Sequence, residues 1–188
     1  MLVINTLPES LSSYYLDHYD ELFALHPTEK SQVIVNDTEV AAHRYYKSYL
    51  YYPEYDASGF KSFMFSDKTF EKNPVLPEIL TPLFTFINKD EKELFNQVTV
   101  NWFENGMDYI PYHRDCLQNI NGDTVIVSFG EMRTLSFKKD DTRMNIDCPH
   151  GTVVRMDLAN QNEYTHSVLK NVSKLQSRIS VSFRNYTV

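Results

Sequence analysis

Arg178-Ile179-Ser180-Val181-Ser182-Phe183-Arg184 is the stretch on which the reading of this chain turns. In an extended strand residues two apart share a face, so the arginines and serines point one way while Ile179, Val181 and Phe183 point the other. The apolar face belongs against a hydrophobic layer. The opposite face would carry two guanidiniums toward the interior of a sandwich or barrel, where each needs an anion. A small molecule with a carboxylate at each end meets that demand, and 2-oxoglutarate is one.

Upstream of this strand, beyond residue 92, the pattern keeps to period two. Val98, Val100 and Trp102 alternate with Thr99, Asn101 and Phe103, and further short strands are predicted over residues 125–129, 134–137, 151–158, 165–169 and 178–183. Turn-like stretches such as Asn121-Gly122-Asp123 and Pro149-His150-Gly151 separate them. Such spacing predicts a mainly β, α+β fold: a β-sandwich or jelly-roll core with helices packed outside it. Residues 10–25 read as an amphipathic helix with Ser10 at the N-cap and Leu11, Tyr15, His18, Leu22 and Leu25 along one side. Residues 67–77 read as a loop entering a helix that ends near residue 88, and Pro82 should kink or restart it. Residues 33–55 show no clean period, and their crowded tyrosines read as core rather than as a platform for stacked bases.

At 188 residues the chain has the size of one domain and can bury a core without staples. One domain over residues 1–188 is expected, with N-terminal helices and a substrate lid in 1–92 and the jelly roll in 93–188. Apolar content of 42%, with 13 Tyr and 12 Phe against 5 Gly, excludes a disordered or collagenous chain. Cys116 and Cys148 are too few for a disulfide framework and read as small buried hydrophobes. No basic leader, export signal or long apolar run is visible, so an intracellular protein, cytoplasmic or nuclear, is expected, without a membrane partner and as a monomer. A formal charge of −7 argues against a protein that coats duplex through its phosphates. The charge is uneven, however: Lys30 is the one base of residues 1–40, whereas Lys170, Lys174, Arg178 and Arg184 follow Glu163 with no acid among them. A local basic surface therefore remains open to an anionic partner.

Between these strands stands His113-Arg114-Asp115. Spaced two apart on a strand, the imidazole and the carboxylate lie side by side and can reach one cation, with Arg114 facing away. Two imidazoles and one carboxylate hold a non-haem Fe(II) and leave its other face open to substrate and O2. The triplet alone is not specific, and the third ligand must come from elsewhere. His166, at the start of a strand, is best placed; His150 sits in a Pro-His-Gly turn that it shapes or packs, and His43 has no evident partner.

At these residues the chain resembles the AlkB-like 2-oxoglutarate and Fe(II)-dependent dioxygenases, over about residues 63–183, which implies a double-stranded β-helix (jelly-roll) core with N-terminal flanking helices. Phe63-Met64-Phe65-Ser66, with Pro74, Pro77 and Leu80, looks like the family's aromatic-serine turn and proline-rich start of a helix. Phe95 to Asn101 with Gly106 is similar to the strand and turn before the metal triplet. His113-Arg114-Asp115, Val127-Ser128-Phe129-Gly130 with Arg133 and Phe137, His150-Gly151, His166, Arg178 and Arg184 then follow in family order. The resemblance implies that His113, Asp115 and His166 bind Fe(II) and are catalytic. It implies that Arg178 and Arg184 pair the carboxylates of 2-oxoglutarate, assisted by Asn101 and Ser182. It places Phe65, Ser66, Leu117 and Arg133 toward the substrate, with Phe65 stacking on an unpaired or flipped base.

The same resemblance implies an oxidoreductase that couples decarboxylation of 2-oxoglutarate by O2 to oxidation of a C–H bond. The substrate expected is an alkylated nucleobase of DNA or RNA, single-stranded or flipped, as in DNA repair; an N-methyl group would leave as formaldehyde. Two departures bear on this. Phe103 replaces a tyrosine whose hydroxyl would bond the cosubstrate, a loss of about 0.5–1.5 kcal/mol. Cys116-Leu117 also replaces an acid that helps read a damaged base, and Ser180 a frequent asparagine. Alternatives are a hydroxylase of the same chemistry acting on a protein side chain or small metabolite, and a jelly-roll binding module without turnover.

Overall fold

The computed structural model describes residues 2–30, 32–35, 38–50, 75–115 and 120–186. Its N-terminal part runs β1 (Leu2–Thr6), α1 (Glu9–Asp17), α2 (Tyr19–Phe23), β2 (Gln32–Val35), β3 (Thr38–Ala41) and β4 (Tyr45–Leu50). A 3-10 turn (Glu78–Leu80), α3 (Thr81–Asn88), β5 (Gln97–Phe103), β6 (Ile110–His113), β7 (Ile120–Gly130) and β8 (Arg133–Lys139) come next. The chain ends with β9 (Thr142–Cys148), β10 (Thr152–Met156), α4 (Leu158–Glu163), β11 (Thr165–Val168) and β12 (Arg178–Tyr186). Six strands form an antiparallel sheet ordered β1-β10-β7-β12-β5-β4; four form a second, β6-β11-β8-β9; β2 and β3 make a separate ribbon.

Because β12 lies between β5 and β7, its alternation sets both faces of the larger sheet. Ile179, Val181 and Phe183 join Val98, Val100 and Trp102 of β5 and Val125, Val127 and Phe129 of β7 in one apolar cluster, which Tyr15, Leu22, Leu80 and Leu83 cover from the helices. On the other face Phe103, Ile126, Val154 and Met156 meet Leu135, Phe137, Ile146 and Val168 of the smaller sheet. Two sheets packed around this second core are the expected jelly roll. The polar face of β12 is thereby enclosed between them.

Polar atoms fix how the helices dock. Trp102, fully buried, donates from Nε1 to the carbonyl of Leu22 at 2.9 Å, satisfying an acceptor at the end of α2. The Tyr15 hydroxyl donates to the Ile79 carbonyl at 2.8 Å and accepts from the Leu83 amide at 3.2 Å, tying α1 to the start of α3.

The helix expected over residues 10–25 is two helices. Pro8, not Ser10, occupies the N-cap of α1, and His18 breaks the run with φ −105° and ψ 20°. The apolar period survives the break, since Tyr15 and Leu22 are both fully buried. Pro82 restarts rather than kinks: it stands in the first turn of α3, where a missing N–H leaves no intrahelical bond unmade. Strands β1, β2, β3, β4, β6 and β9 escaped the sequence pattern, and β1 and β4 bring the segment expected to be helical and lid-forming into the larger sheet. Tyr46, Ser48, Tyr49 and Leu50 of β4 are buried on alternating and then successive positions, so no period shows. In β9 only Ile146 and Cys148 are buried, too few to mark alternation.

Two loops at one end of the sandwich meet at Gly106. Its amide donates to the Lys174 carbonyl at 2.8 Å, and its carbonyl accepts from the Asn171 amide at 2.9 Å. A Cβ there would fall 1.7 Å from the Asn171 carbonyl oxygen, so only glycine fits this approach. Gly106→Ala is expected to destabilise the fold by at least about 2 kcal/mol by forcing apart the connection from β11 to β12. A lower urea midpoint at unchanged m-value is the expected result; a midpoint equal to the parent's would show that these loops yield freely.

Candidate metal centre

His113 ends β6, Asp115 stands two residues on, and His166 lies on β11 directly opposite His113 in the ladder. Strand pairing therefore brings together side chains far apart in the chain. One ligand atom from each of the three lies within 4.8 Å of the others, and the two rings sit 4.3 Å apart between centroids. The His113 Nδ1 is 2.9 Å from the Pro111 carbonyl, which can only accept, so Nδ1 carries a proton and Nε2 is the ring nitrogen left to a metal. That Nε2 is 3.6 Å from Asp115 Oδ1.

Arg184 completes the carboxylate's orientation. Its Nε and Nη2 both donate to Asp115 Oδ2, at 3.0 and 2.8 Å, and leave Oδ1 facing His113. Burial alone would raise the Asp115 carboxyl, but the Arg184 guanidinium and the two imidazoles outweigh it and hold it well below the usual carboxylate range. Burial, reinforced by His113, pushes the His166 imidazole down to about 3. Near neutral pH the set is thus one carboxylate and a neutral imidazole at His166, which is the protonation a divalent cation requires.

Arg178 lies deeper, fully buried, above the Phe103 ring at 5.0 Å to the centroid. Nη2 donates to Ser128 Oγ at 2.8 Å, while among the described residues Nε and Nη1 are buried with no partner. Burial pulls this guanidinium down to about 10, still protonated at neutral pH. An enclosed cation with two unused donors is costly by several kcal/mol unless an anion joins it, so the residues present fit a carboxylate. Phe103, read from sequence as a lost hydrogen bond, also supplies a ring face to that cation.

Asn101 and Ser182 share the enclosed face, Asn101 opposite Ser180 and Ser182 opposite Thr99. Arg133 is placed otherwise than expected. It is buried and donates to the carbonyls of Asn105, Asp108 and Leu169, at 3.0, 2.8 and 2.6 Å, so most of its donors tie loops together. Phe65, Ser66 and Leu117 lie outside the described residues. His150 bridges the Gly130 amide and the Ser12 carbonyl, a packing role as read, and His43 gains a partner by stacking on Tyr109. Cys148 is free and buried in the inter-sheet core. Sequence reasoning missed Arg44, whose Nε donates to Asn101 Oδ1 at 2.7 Å; a lone arginine before a tyrosine run carries no signal of that contact.

The 2OG-Fe(II) oxygenase superfamily matches residues 21–184. Among curated proteins the chain is 29% identical over 135 residues to alpha-ketoglutarate-dependent dioxygenase alkB homolog 3 of Mus musculus, covering 65% of this chain and 47% of that protein. It is 25% identical over 135 residues to DNA oxidative demethylase ALKBH2 of Homo sapiens, covering 65% and 51%. The chain spans about half the length of the curated relatives it matches. Solved structures with a similar fold include a Pseudomonas putida prolyl-4-hydroxylase, with TM-score 0.56, 11% identity and coverage of 100% of this chain and 92% of that one. A prolyl hydroxylase from Trichoplax adhaerens gives TM-score 0.61 at 12% identity, covering 98% and 83%.

Replacing His166 with Ala should lower affinity for Mn(II), measured by calorimetric titration, by more than the roughly 10- to 100-fold that loss of a supporting partner costs. Unchanged affinity in a folded variant would remove His166 from the ligand set.

Proposed function

The chain belongs to the 2OG-Fe(II) oxygenase superfamily, and from that premise we propose that it is a dioxygenase whose substrate is an alkylated base of single-stranded or flipped DNA or RNA. The observation that carries the chemistry is the pairing of a two-imidazole, one-carboxylate cluster with a buried arginine that has two donors to spare. When bound, Fe(II) and 2-oxoglutarate supply oxidation of a C–H bond by O2, with the cosubstrate decarboxylated to succinate.

The chain's own residues bind and orient. His113, Asp115 and His166 hold the metal, the first in a tautomer fixed by Pro111 and the second in a rotamer fixed by Arg184. Arg178 pairs the distal carboxylate of 2-oxoglutarate in a dry site, where a charge-assisted bond is strongest. Asn101 and Ser182, on the same face, line the path between Arg178 and Arg184. Nucleic acid as substrate class rests on the alkB homolog 3 and ALKBH2 likeness.

Charge narrows the base. Arg44 lies close enough to Asp115 and Arg184 to feel both charges, and residues 116–119 contain no acid. A cationic base such as 1-methyladenine would enter beside arginines without a carboxylate of its own, so a neutral methylated base fits better. The same charge favours the second reading, a hydroxylase of a protein side chain or small metabolite.

Succinate formation with Fe(II), with and without methylated single-stranded oligonucleotides, tests the assignment. A neutral N-methylated base should stimulate it more than 1-methyladenine does; efficient 1-methyladenine turnover would sink the charge argument, and no response to any oligonucleotide would favour the second reading. Arg178→Ala should weaken 2-oxoglutarate binding to the Mn(II)-loaded protein by roughly 2–5 kcal/mol. Unchanged affinity would refute the proposed pairing.

A further inference from the structure

We propose that Arg44 is a positioning residue for the cosubstrate: its hydrogen bond to Asn101 sets which way the Asn101 amide faces. The inference rests on the reading above, in which Asn101 assists 2-oxoglutarate. Arg44 stands just before β4, whose strand pairs with β5 so that Tyr46 lies opposite Asn101. From there its Nε reaches Asn101 Oδ1 at 2.7 Å, while its guanidinium carbon lies 5.1 Å from the centre of the Tyr46 ring.

The chemistry of the two groups makes this bond directional. A guanidinium has donors only, whereas a primary amide has an acceptor end and a donor end of nearly equal shape. An asparagine in a polar cavity can therefore turn over at little cost unless a neighbour distinguishes its ends. Arg44 does so: facing a donor-only group, Asn101 must present Oδ1 to it and Nδ2 away from it. Among the described residues Nδ2 donates to nothing, although Asn101 is buried. Nδ2 shares the enclosed face with Arg178, Ser180, Ser182 and Arg184, so the end left over is the donor a carboxylate or keto oxygen needs. Turned the other way, the amide would meet that oxygen with its own oxygen and repel it.

Arg44 is partly exposed at the edge of the sheet, so its replacement leaves the inter-sheet core intact. The test is a double-mutant cycle on the Mn(II)-loaded protein, read as 2-oxoglutarate affinity by calorimetry. Arg44→Met and Asn101→Ala should each weaken binding about tenfold, the range of one hydrogen bond to a charged group. The double variant should be no weaker than Asn101→Ala alone, because without the amide there is nothing to orient. Arg44→Lys, also donor-only, should recover part of the affinity. With Fe(II), Arg44→Met should raise the KM for 2-oxoglutarate in substrate-free succinate formation while kcat changes little.

Three results would overturn the proposal. Parent-like affinity in Arg44→Met beside a weakened Asn101→Ala would leave the role of Asn101 standing and remove that of Arg44. Additive losses in the double variant would show that Arg44 acts on the cosubstrate directly. Parent-like affinity in Asn101→Ala would dismiss the reading of Asn101 and the inference together.

Discussion

A guanidinium enclosed between two apolar sheets must have an anion, and β12 places two of them there. Everything that distinguishes this sandwich from an inert one depends on how those charges are met. Arg184 is met by Asp115, which it holds by two hydrogen bonds to a single oxygen. The other oxygen is left toward the imidazoles, and the carboxyl stays ionised although burial opposes it. Arg178 is met only in part, by a serine hydroxyl and an aromatic face. One arginine thus shapes the candidate metal cluster and the other remains a demand for an anion.

Such a demand destabilises the protein alone and rewards it when bound, since any ligand selective for the folded state adds to stability by mass action. The fold can carry the cost because the opposite face of the same sheet is a full hydrophobic layer. Ile179, Val181 and Phe183 alternate with the polar residues of β12 and pack under the helices, where Trp102 and Tyr15 bury large rings with their polar atoms satisfied. Stability comes from one face and ligand demand from the other. The shared backbone links them, so a shift of β12 relative to β5 would disturb both.

The arginines also constrain what can approach the metal cluster. Arg184 pairs with Asp115, Arg44 reaches Asn101 nearby, and no acid follows Asp115 in residues 116–119. On the function proposed here, selectivity would depend on repulsion of the wrong charge as much as on attraction of the right group. Phe103 shows how one substitution can be read two ways. By sequence it is a hydroxyl missing from the cosubstrate's shell; in the fold it is a ring packed against Arg178, a contact visible only once β5 and β12 are paired.

By itself the sequence determined the period of the strands, and with it the sandwich and the two faces of β12; it nominated His113, Asp115 and His166, which strand pairing brings together. Local alternation fixes which side chains share a face, and ligand chemistry restricts which types can serve. It could not deliver the β2–β3 ribbon or β1, β4, β6 and β9; a strand buried on both faces, such as β4, or barely buried at all, such as β1 and β9, leaves no period. Nor could it place Arg133, which resembles a substrate residue by position yet binds three carbonyls contributed by two separate loops. Arg44 and Ser128 were beyond its reach for the same reason. Their meaning lies in contacts across 57 and 50 residues of chain, made by strands whose order in the sheet no local pattern encodes. Only the tertiary structure decided that Arg184 would hold the Asp115 carboxylate while Arg178, among the described residues, kept two donor atoms unpaired, since sheet pairing sets which anion each cation can reach.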